Sequence, residues 1–415
     1  MTSSAQPGAI RPLVATFLIL FAVSPVMHAQ TFAVLHAFTD GADGGGPGAG
    51  LTMDRAGNLY GTASGYLASI GSAFKLTKVR GNWVLNPLFD FTDNNEGTYG
   101  YEPDGTLVFG ADGALYVAVG LGGSLGYGTV VKLQPHATFC ASITCYWSAT
   151  VLFDFDQSSG SYPDQIDFDG DGNIYGTTGE GGYLQGSCLA SGLRGCGTVY
   201  QLTNSGGTWS RKVLYQFHNS DGNDPMGGVL FDSVGNLYGI TRSGGTNNLG
   251  VVFKLSPAQE FWDETILHMF SGGSDGEYPG WPLTMDAAGN LYGVTQGGGS
   301  GGYGTVFELS PPGTWNLQTL YSFSAAEGVP NGGLLLDSAG NIYGTTFGNS
   351  NHTGIIFKLT LSNGTWSLTD LHDFNAPTDG LQPIGGVISD AQGNLYGTAF
   401  FGGAYNYGTA WELTP

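Results

Sequence analysis

The sequence predicts an all-β protein, a seven-bladed β-propeller with four antiparallel strands per blade, the last blade closed by the N-terminal strand (residues 31–38). Three observations predict it. One short phrase returns seven times, the same companion phrases travel with each copy, and the piece missing from the last copy stands before the first.

The phrase is GNLYGT at Gly57, with variants at Gly113, Gly172, Gly235, Gly289, Gly340 and Gly393. Its tyrosines, Tyr60, Tyr116, Tyr175, Tyr238, Tyr292, Tyr343 and Tyr396, are separated by 56, 59, 63, 54, 51 and 53 residues, a period loosened by loops of variable length. A short apolar run ending in a turn precedes each copy, as in GGLLLDSAGN from Gly332. A GTVFKL-like phrase follows, at Gly71, Gly128, Gly197, Gly250, Gly304, Gly354 and Gly408. Last comes a tryptophan and an apolar stretch ending in phenylalanine, such as WSRKVLYQF from Trp209. Each phrase is rich in β-branched and aromatic residues and bounded by Gly, Asp, Asn or Pro, which marks strands. The final unit stops at GTAWELTP without its Trp…Phe strand, and TFAVLHAF from Thr31 to Phe38 supplies it, protecting an otherwise open sheet edge.

Residues 1–29 read as a signal peptide ahead of a single propeller domain over 30–415. Arg11 precedes an apolar run from Leu13 to Val23, and the small residue Ala29 follows. The run is too short for a bilayer, which needs about 20 apolar residues. A retained membrane anchor is the competing reading. The expected location is therefore secreted, periplasmic or extracellular, with no membrane span in the mature chain.

With 12 basic against 33 acidic residues, the net charge of −21 argues against nucleic acid, since no Lys/Arg stripe exists to release counterions. The four cysteines form two close pairs, Cys140 with Cys145 and Cys188 with Cys196. In an exported chain these read as loop-stapling disulfides; a zinc site is the alternative, but the spacings fit no usual knuckle.

Most recurrent polar residues have structural readings. Asp54, Asp169, Asp232, Asp286, Asp337 and Asp390 stand three before the phrase's first glycine, where a turn carboxylate accepts backbone N–H groups; the second unit has Gly110 there. His36, His268 and His372 fall in a slot filled elsewhere by Phe89, Phe153, Tyr215 and Tyr321, which marks a packing position. Glycines after the tyrosine are expected to let the blades converge on the axis. No cofactor is implied. Calcium is the one cation with a candidate site: Asp167, Asp169 and Asp171 before Gly172 form a D-x-D-x-D-G opening, although loop position twelve is Thr178 and not the usual glutamate.

Two loop families are expected on one face. The connection from each fourth strand to the next blade carries an acid-Gly-Pro signature, as in SDGEYPGWP at Ser274, and the loop between second and third strands is glycine-rich and variable. That face would present Asp221, Asp224, Asp275, Glu277 and Glu327 with Tyr183, Tyr278, Trp281, Tyr303, Tyr405 and Tyr407. Rings stack on apolar sugar faces while acids take hydroxyl hydrogen bonds, so Glu277, Tyr278, Trp281, Tyr303, Tyr405 and Tyr407 are candidate ligand contacts.

The tandem phrases GNLYGT and GTVFKL closely resemble the GloVer (Gloeo/Verruco) repeat family of exported bacterial proteins, over essentially the whole mature chain. The resemblance implies a propeller-like extracellular protein, often tethered by a C-terminal anchor. This copy ends at Pro415 with no greasy anchor, so tethering is not expected.

The leading functional expectation is a monomeric binding module for a carbohydrate or surface polymer. A glycoside hydrolase or polysaccharide lyase is the alternative, for which Glu180, Arg194 and Arg242 break the repeat pattern and are the first residues to mutate. No acid is otherwise distinguished from its repeat counterparts, which weighs against an enzyme and identifies no catalytic residue. A purely structural surface protein is the third reading.

Overall fold

The structure, a computed structural model, describes Met1 and residues 30–65, 71–91, 97–135, 146–192, 194–259, 262–311, 313, 315–348, 353–374 and 377–415. The signal-peptide expectation and the Cys140–Cys145 pair lie outside these residues. Seven antiparallel sheets form a ring of blades, and the first strand of each faces the axis. Blade 1 runs Thr52–Met53, Leu59–Ala63, Ser72–Val79 and Asn82–Asp90; blade 3 runs Ser161–Phe168, Ile174–Glu180, Thr198–Ser205 and Thr208–Gln216. Blade 5 differs in that its inner strand is broken into Glu277–Pro279 and Thr284–Met285, both paired with Leu291–Gly297.

The ring is shut as the sequence predicts. Thr31–Ala37 pairs antiparallel with Thr409–Thr414, in register Thr31↔Thr414, Phe32↔Leu413 and Val34↔Trp411, as the outer strand of blade 7. Seven hydrophobic clusters fill the seven seams between blades. One of them joins Phe38, Tyr396 and Ala410 of blade 7 to Leu51, Leu59 and Phe74 of blade 1. Across the same seam Trp83 Nε1 donates to Glu412 at 3.3 Å.

A repeated contact chain explains the phrases. The phenylalanine after each outer strand is at most 1% exposed, from Phe38 through Phe374. It packs edge-on against the third-strand aromatic of the next blade: Phe38 on Phe74, Phe155 on Tyr200, Phe217 on Phe253, Phe374 on Trp411. That aromatic in turn lies over the glycine of the second strand. A Cβ on Gly239 would stand 2.5 Å from the Phe253 ring, and one on Gly397 2.3 Å from Trp411. The expectation that these glycines serve convergence on the axis is corrected here: they make room for a ring of their own blade. Blade 2 shows the reciprocal solution, with Val117 opposite Val131.

The third and outer strands of every blade share a β-bulge at the same place, and the extra residue is a leucine each time: Leu35, Leu88, Leu152, Leu214, Leu267, Leu320 and Leu371. A bulge re-aims the side chain that follows it. That side chain belongs to the slot holding His36, Phe89, Phe153, Tyr215, His268, Tyr321 and His372.

Candidate functional site

The connections into each blade and the loops between second and third strands share one face of the ring, as expected from the strand order. Among the described residues every exposed aromatic is there: Tyr101, Tyr162, Tyr278, Phe347 and Tyr405. The apolar side chains exposed at the opposite face are aliphatic, among them Val79, Val234 and Leu361.

Most acids of this face are already engaged. His36 Nε2 lies 2.9 Å from Asp43 Oδ2, which also accepts the Thr39 N–H. His268 meets Asp275 at 3.1 Å and His372 meets Asp379 at 3.5 Å. The Tyr215 and Tyr321 hydroxyls donate to Asp221 and Glu327, each at 2.7 Å. Where the slot holds phenylalanine the acid is missing: Phe89 packs on Tyr99, 5.3 Å between centroids, and the residue matching Phe153 is Ser159. Asp221, Asp275 and Glu327 therefore order their loops, and the histidine slot proves to be a hydrogen-bonding position as well as a packing one.

The residue just before each loop proline is different. It has positive φ in six blades: Gly46 (61°), Glu102 (58°), Tyr162 (62°), Asp224 (59°), Tyr278 (55°) and Gln382 (59°). Blade 6 lacks the position, because Val329 follows Gly328 directly and precedes Pro330. Five non-glycine residues occupy a conformation that only glycine adopts freely, and a following proline restricts it further. Backbone bonds across the seam hold them there. Asp224 N–H donates to the Cys196 carbonyl of blade 3 at 3.3 Å, Tyr162 N–H to Tyr127 at 3.2 Å and Tyr278 N–H to Leu249 at 2.9 Å.

Two such residues line a cavity of about 270 Å³ at the seams of blades 2, 3 and 4. Its polar walls are Asp104, Asp164, Glu180, Asp224, Arg242 and Tyr162. It opens beside a second cavity of about 230 Å³ along the axis, and Asp104 and Asp164 line both. Blades 2 and 3, whose incoming connections have Tyr99 and Ser159 where the others have the loop acid, carry an acid just after the proline instead, in Glu102-Pro103-Asp104 and Tyr162-Pro163-Asp164.

Burial in this enclosed space, reinforced by neighbouring carboxylates, sets the protonation. Burial pushes Asp104 up to about 6, and the Asp164 and Glu102 charges add to the effect against a hydrogen bond from Ser64. Burial likewise pushes Asp224 up to about 6, with the Arg242 guanidinium opposing and Glu180 reinforcing. Asp164 is raised by burial although Oδ2 accepts the Gly227 N–H at 2.7 Å. Water reaches the Asp104 side chain from the cavity, while protein encloses its other sides. The arrangement offers carboxyl oxygens to hydrogen-bond donors and groups that exchange protons near neutral pH.

Sequence reasoning reached part of this site. Glu180 and Arg242, singled out for breaking the repeat, meet in the pocket with Asp224; Arg194 does not line it, and its carbonyl accepts the Gly181 N–H. Asp104, Asp164 and Tyr162 were missed, and the residues flanking the loop proline were the signal. The six candidate ligand contacts are not gathered into that pocket. Trp281 lines the axial cavity, Tyr303 and Tyr407 are half-buried against core clusters, and Glu277 lies beside Gly297. Tyr278 and Tyr405 stand exposed on the loop face, 39% and 59%. Tyr183 packs on His218, 4.4 Å between ring centroids.

Cys188 and Cys196 form a disulfide that closes the second loop of blade 3, next to Glu180 and the Asp224 anchor. The calcium motif falls on the opposite face, in the hairpin between Ser161–Phe168 and Ile174–Glu180. Asp169 spends Oδ1 on the Asp171 and Asn173 N–H groups and Oδ2 on Asn173 Nδ2, and Asp167 accepts the Phe168 N–H. Among the described residues no three His, Cys, Asp or Glu side chains converge as a cation site, so Asp167, Asp169 and Asp171 are not brought together as ligands. In blade 2, where Gly110 replaces the turn acid, Asp112 takes over by accepting the Ala114 N–H and the Tyr116 hydroxyl.

The chain belongs to the Gloeobacter/Verrucomicrobia repeat family, whose pattern matches residues 19–189 and 179–411. Among solved structures it is similar to the extracellular domain of a hybrid two-component system from B. thetaiotaomicron (14% identity, TM-score 0.54, 94% of this chain and 41% of that one). The chain thus spans about two fifths of that protein's length. It is also similar to a protein described as a 6-phosphogluconolactonase from Bacteroides uniformis (15% identity, TM-score 0.50, 82% of this chain and 88% of that one). At these identities the likeness is one of fold. No curated protein matches the chain. Among the described residues no helix is long and apolar enough to cross a membrane.

Proposed function

We propose that this member of the family is an exported, monomeric binding module that takes a carbohydrate on its loop face. The observation that carries the reading is the placement of every exposed aromatic among the described residues on one face, the same face that holds a cavity with unspent carboxylates. Tyrosine rings offer flat apolar surfaces to pyranose faces, and carboxylates accept hydrogen bonds from sugar hydroxyls. Patches of this kind on a rigid frame mark interaction sites. The Cys188–Cys196 disulfide supports export, since such bonds persist in oxidising compartments. A glycan array probed with the folded protein, followed by calorimetry, tests the reading. Binding that weakens in Tyr278→Ala and Tyr405→Ala is expected; folded protein silent across the array sinks it.

Hydrolysis is the second reading, favoured by one observation. Asp104 and Asp224 are carboxyl groups held near 6, the range useful to a general acid. Release of reducing sugar from bound glycans, abolished in Asp104→Asn or Asp224→Asn, would establish it. Binding without turnover leaves the module reading.

A further inference from the structure

We propose that the cavity at the seams of blades 2, 3 and 4 takes the ammonium group of an amino sugar, held among the carboxylates of Asp104, Asp164 and Asp224. The inference rests on the carbohydrate reading for the sugar ring; the ammonium follows from the pocket itself.

Four carboxylates, Asp104, Asp164, Glu180 and Asp224, share the cavity with one guanidinium, that of Arg242. Their oxygens are mostly unclaimed. Asp224 accepts no hydrogen bond from any described side chain or backbone group, Asp164 accepts the Gly227 and Gln165 N–H groups, and Asp104 accepts the Ser64 hydroxyl. An ionised carboxylate has about four acceptor positions, so the pocket has a surplus of acceptors and a shortage of donors.

A second, independent feature points the same way. Tyr200 stands on the third strand of blade 3, where blades 1, 4, 5 and 6 carry Phe74, Phe253, Phe307 and Phe357. Its hydroxyl reaches past Gly176 towards the inner strand at Gln165, next to Asp164, whose charge it feels. The side chain is 0% exposed and the hydroxyl has no hydrogen-bond partner among the described residues. A wholly buried hydroxyl without a partner is costly, and this one stands within range of the Asp164 charge, on the strand behind the cavity wall.

Among ligand classes, a metal ion needs oxygens converging at about 2.3–2.6 Å, and these carboxylates do not converge so. A uronate or phosphate would meet four like charges. An ammonium carries three N–H donors pointing in different directions and can join acceptors that are spread around a cavity. The cavity of about 270 Å³ suits one sugar unit, and the Tyr162 ring provides an apolar wall for it. Arg242 is the discriminating residue: its guanidinium repels an ammonium, so its removal strengthens binding of the right ligand.

The test is calorimetry of the full chain near neutral pH with glucosamine and chitosan oligosaccharides, against N-acetylglucosamine and chitin oligosaccharides. A preference of about tenfold for the free amine is expected, lost in Asp104→Asn and Asp224→Asn. Arg242→Ala should tighten chitosan binding about threefold or more, a gain that a misfolded variant cannot give. Equal affinity for acetylated and free amines, or an Arg242→Ala variant no tighter than the parent, overturns the proposal. So does polylysine binding without any amino-sugar binding. Neutral glycans that bind the parent and all three variants alike would leave the carbohydrate face standing and remove the ammonium site. Glucosamine binding with an otherwise silent array would do the reverse.

Discussion

Replacing Tyr200 by phenylalanine is expected to stabilise the protein, although it deletes a polar group from the deepest part of blade 3. Four other blades show that a phenyl ring fits this slot over the second-strand glycine, and the Phe155 contact, 5.0 Å between centroids, needs only the ring. What the hydroxyl adds is a wholly buried donor without a partner among the described residues. Leaving such a group unsatisfied costs about 1–3 kcal/mol. Deleting it leaves a void of roughly one oxygen, which at about 24 cal/mol per Å³ takes back only a few tenths of a kcal/mol. The net gain is therefore ~1–2 kcal/mol. Unfolding entropy near 2 cal/mol/K per residue, over a propeller of this length, turns that into a rise of ~2 °C in Tm. Urea denaturation is the better assay, with an unchanged slope and a higher midpoint. A Tyr200→Phe protein less stable than the parent would refute the reasoning, since it would mean the hydroxyl is satisfied in the free protein.

Four further outcomes are expected. Phe32→Ala, which removes the ring stacked 3.7 Å from His372 and edge-on to Phe374, should destabilise by ~2–3 kcal/mol, less than a fully buried phenylalanine because Phe32 is half-buried; calorimetric unfolding measures it. Asp232→Ala frees the Val234 and Asn236 N–H groups, Asn236 Nδ2 and the Tyr238 hydroxyl, and should cost ~1–2 kcal/mol in urea. Asp224→Gly should stabilise by ~1 kcal/mol by relieving positive φ while abolishing amino-sugar binding; loss of stability would contradict the strain. Stability should peak on the acid side. Burial chiefly, with Asp221 adding, pushes Glu264 up to about 7, and Asp104 and Asp224 stand near 6, so their contribution is complete below their unfolded values and is lost as pH rises through 6–7. In the turn aspartates burial raises the carboxyl, but hydrogen bonds from the turn outweigh it, so their contribution is lost at the other end, as pH falls below about 3.8. Glu264→Gln should flatten the alkaline limb and leave stability near pH 4, below the ordinary glutamate value, unchanged.

The ring was legible because its chemistry is periodic. Glycine, tyrosine and phenylalanine recur at fixed offsets within each unit, and the orphan strand at Thr31–Phe38 has only one edge to complete. The turn role of Asp54 and its counterparts was legible for the same reason, and so was the Cys188–Cys196 bond, which spans eight residues of a single loop. What stayed hidden depends on neighbours in space. Nothing in a linear reading says that the slot of His268 and Tyr321 serves the acid seven or six residues on, because the leucine bulge that turns the side chain there is a property of the strand pair. The acids that catch the eye, Asp221, Asp275 and Glu327, are those the loops consume. The acids that remain, Asp104 and Asp164, sit after a proline in the two blades whose incoming connections lack the loop acid.

That displacement also says where the chain carries something the fold does not need. At the position before the loop proline the backbone asks for glycine, and blade 1 supplies it with Gly46. Blade 6 deletes the position altogether and still packs Pro330 against Gly304 like the other blades. Neither solution damages the ring, so the frame alone does not require Glu102, Tyr162, Asp224, Tyr278 or Gln382 to carry side chains through positive φ. Strain of this kind persists where surrounding structure over-determines it, and here the seam bonds from Tyr162 to Tyr127 and from Asp224 to Cys196 do so. Two of the five strained residues face one cavity, together with carboxyl groups that burial keeps partly protonated. Local strain and unpaired acceptors are separate costs to folding. Their coincidence at the junction of blades 2, 3 and 4, and nowhere else among the described cavities, is the physical reason to look for the ligand there and not at the more conspicuous acids of the outer loops.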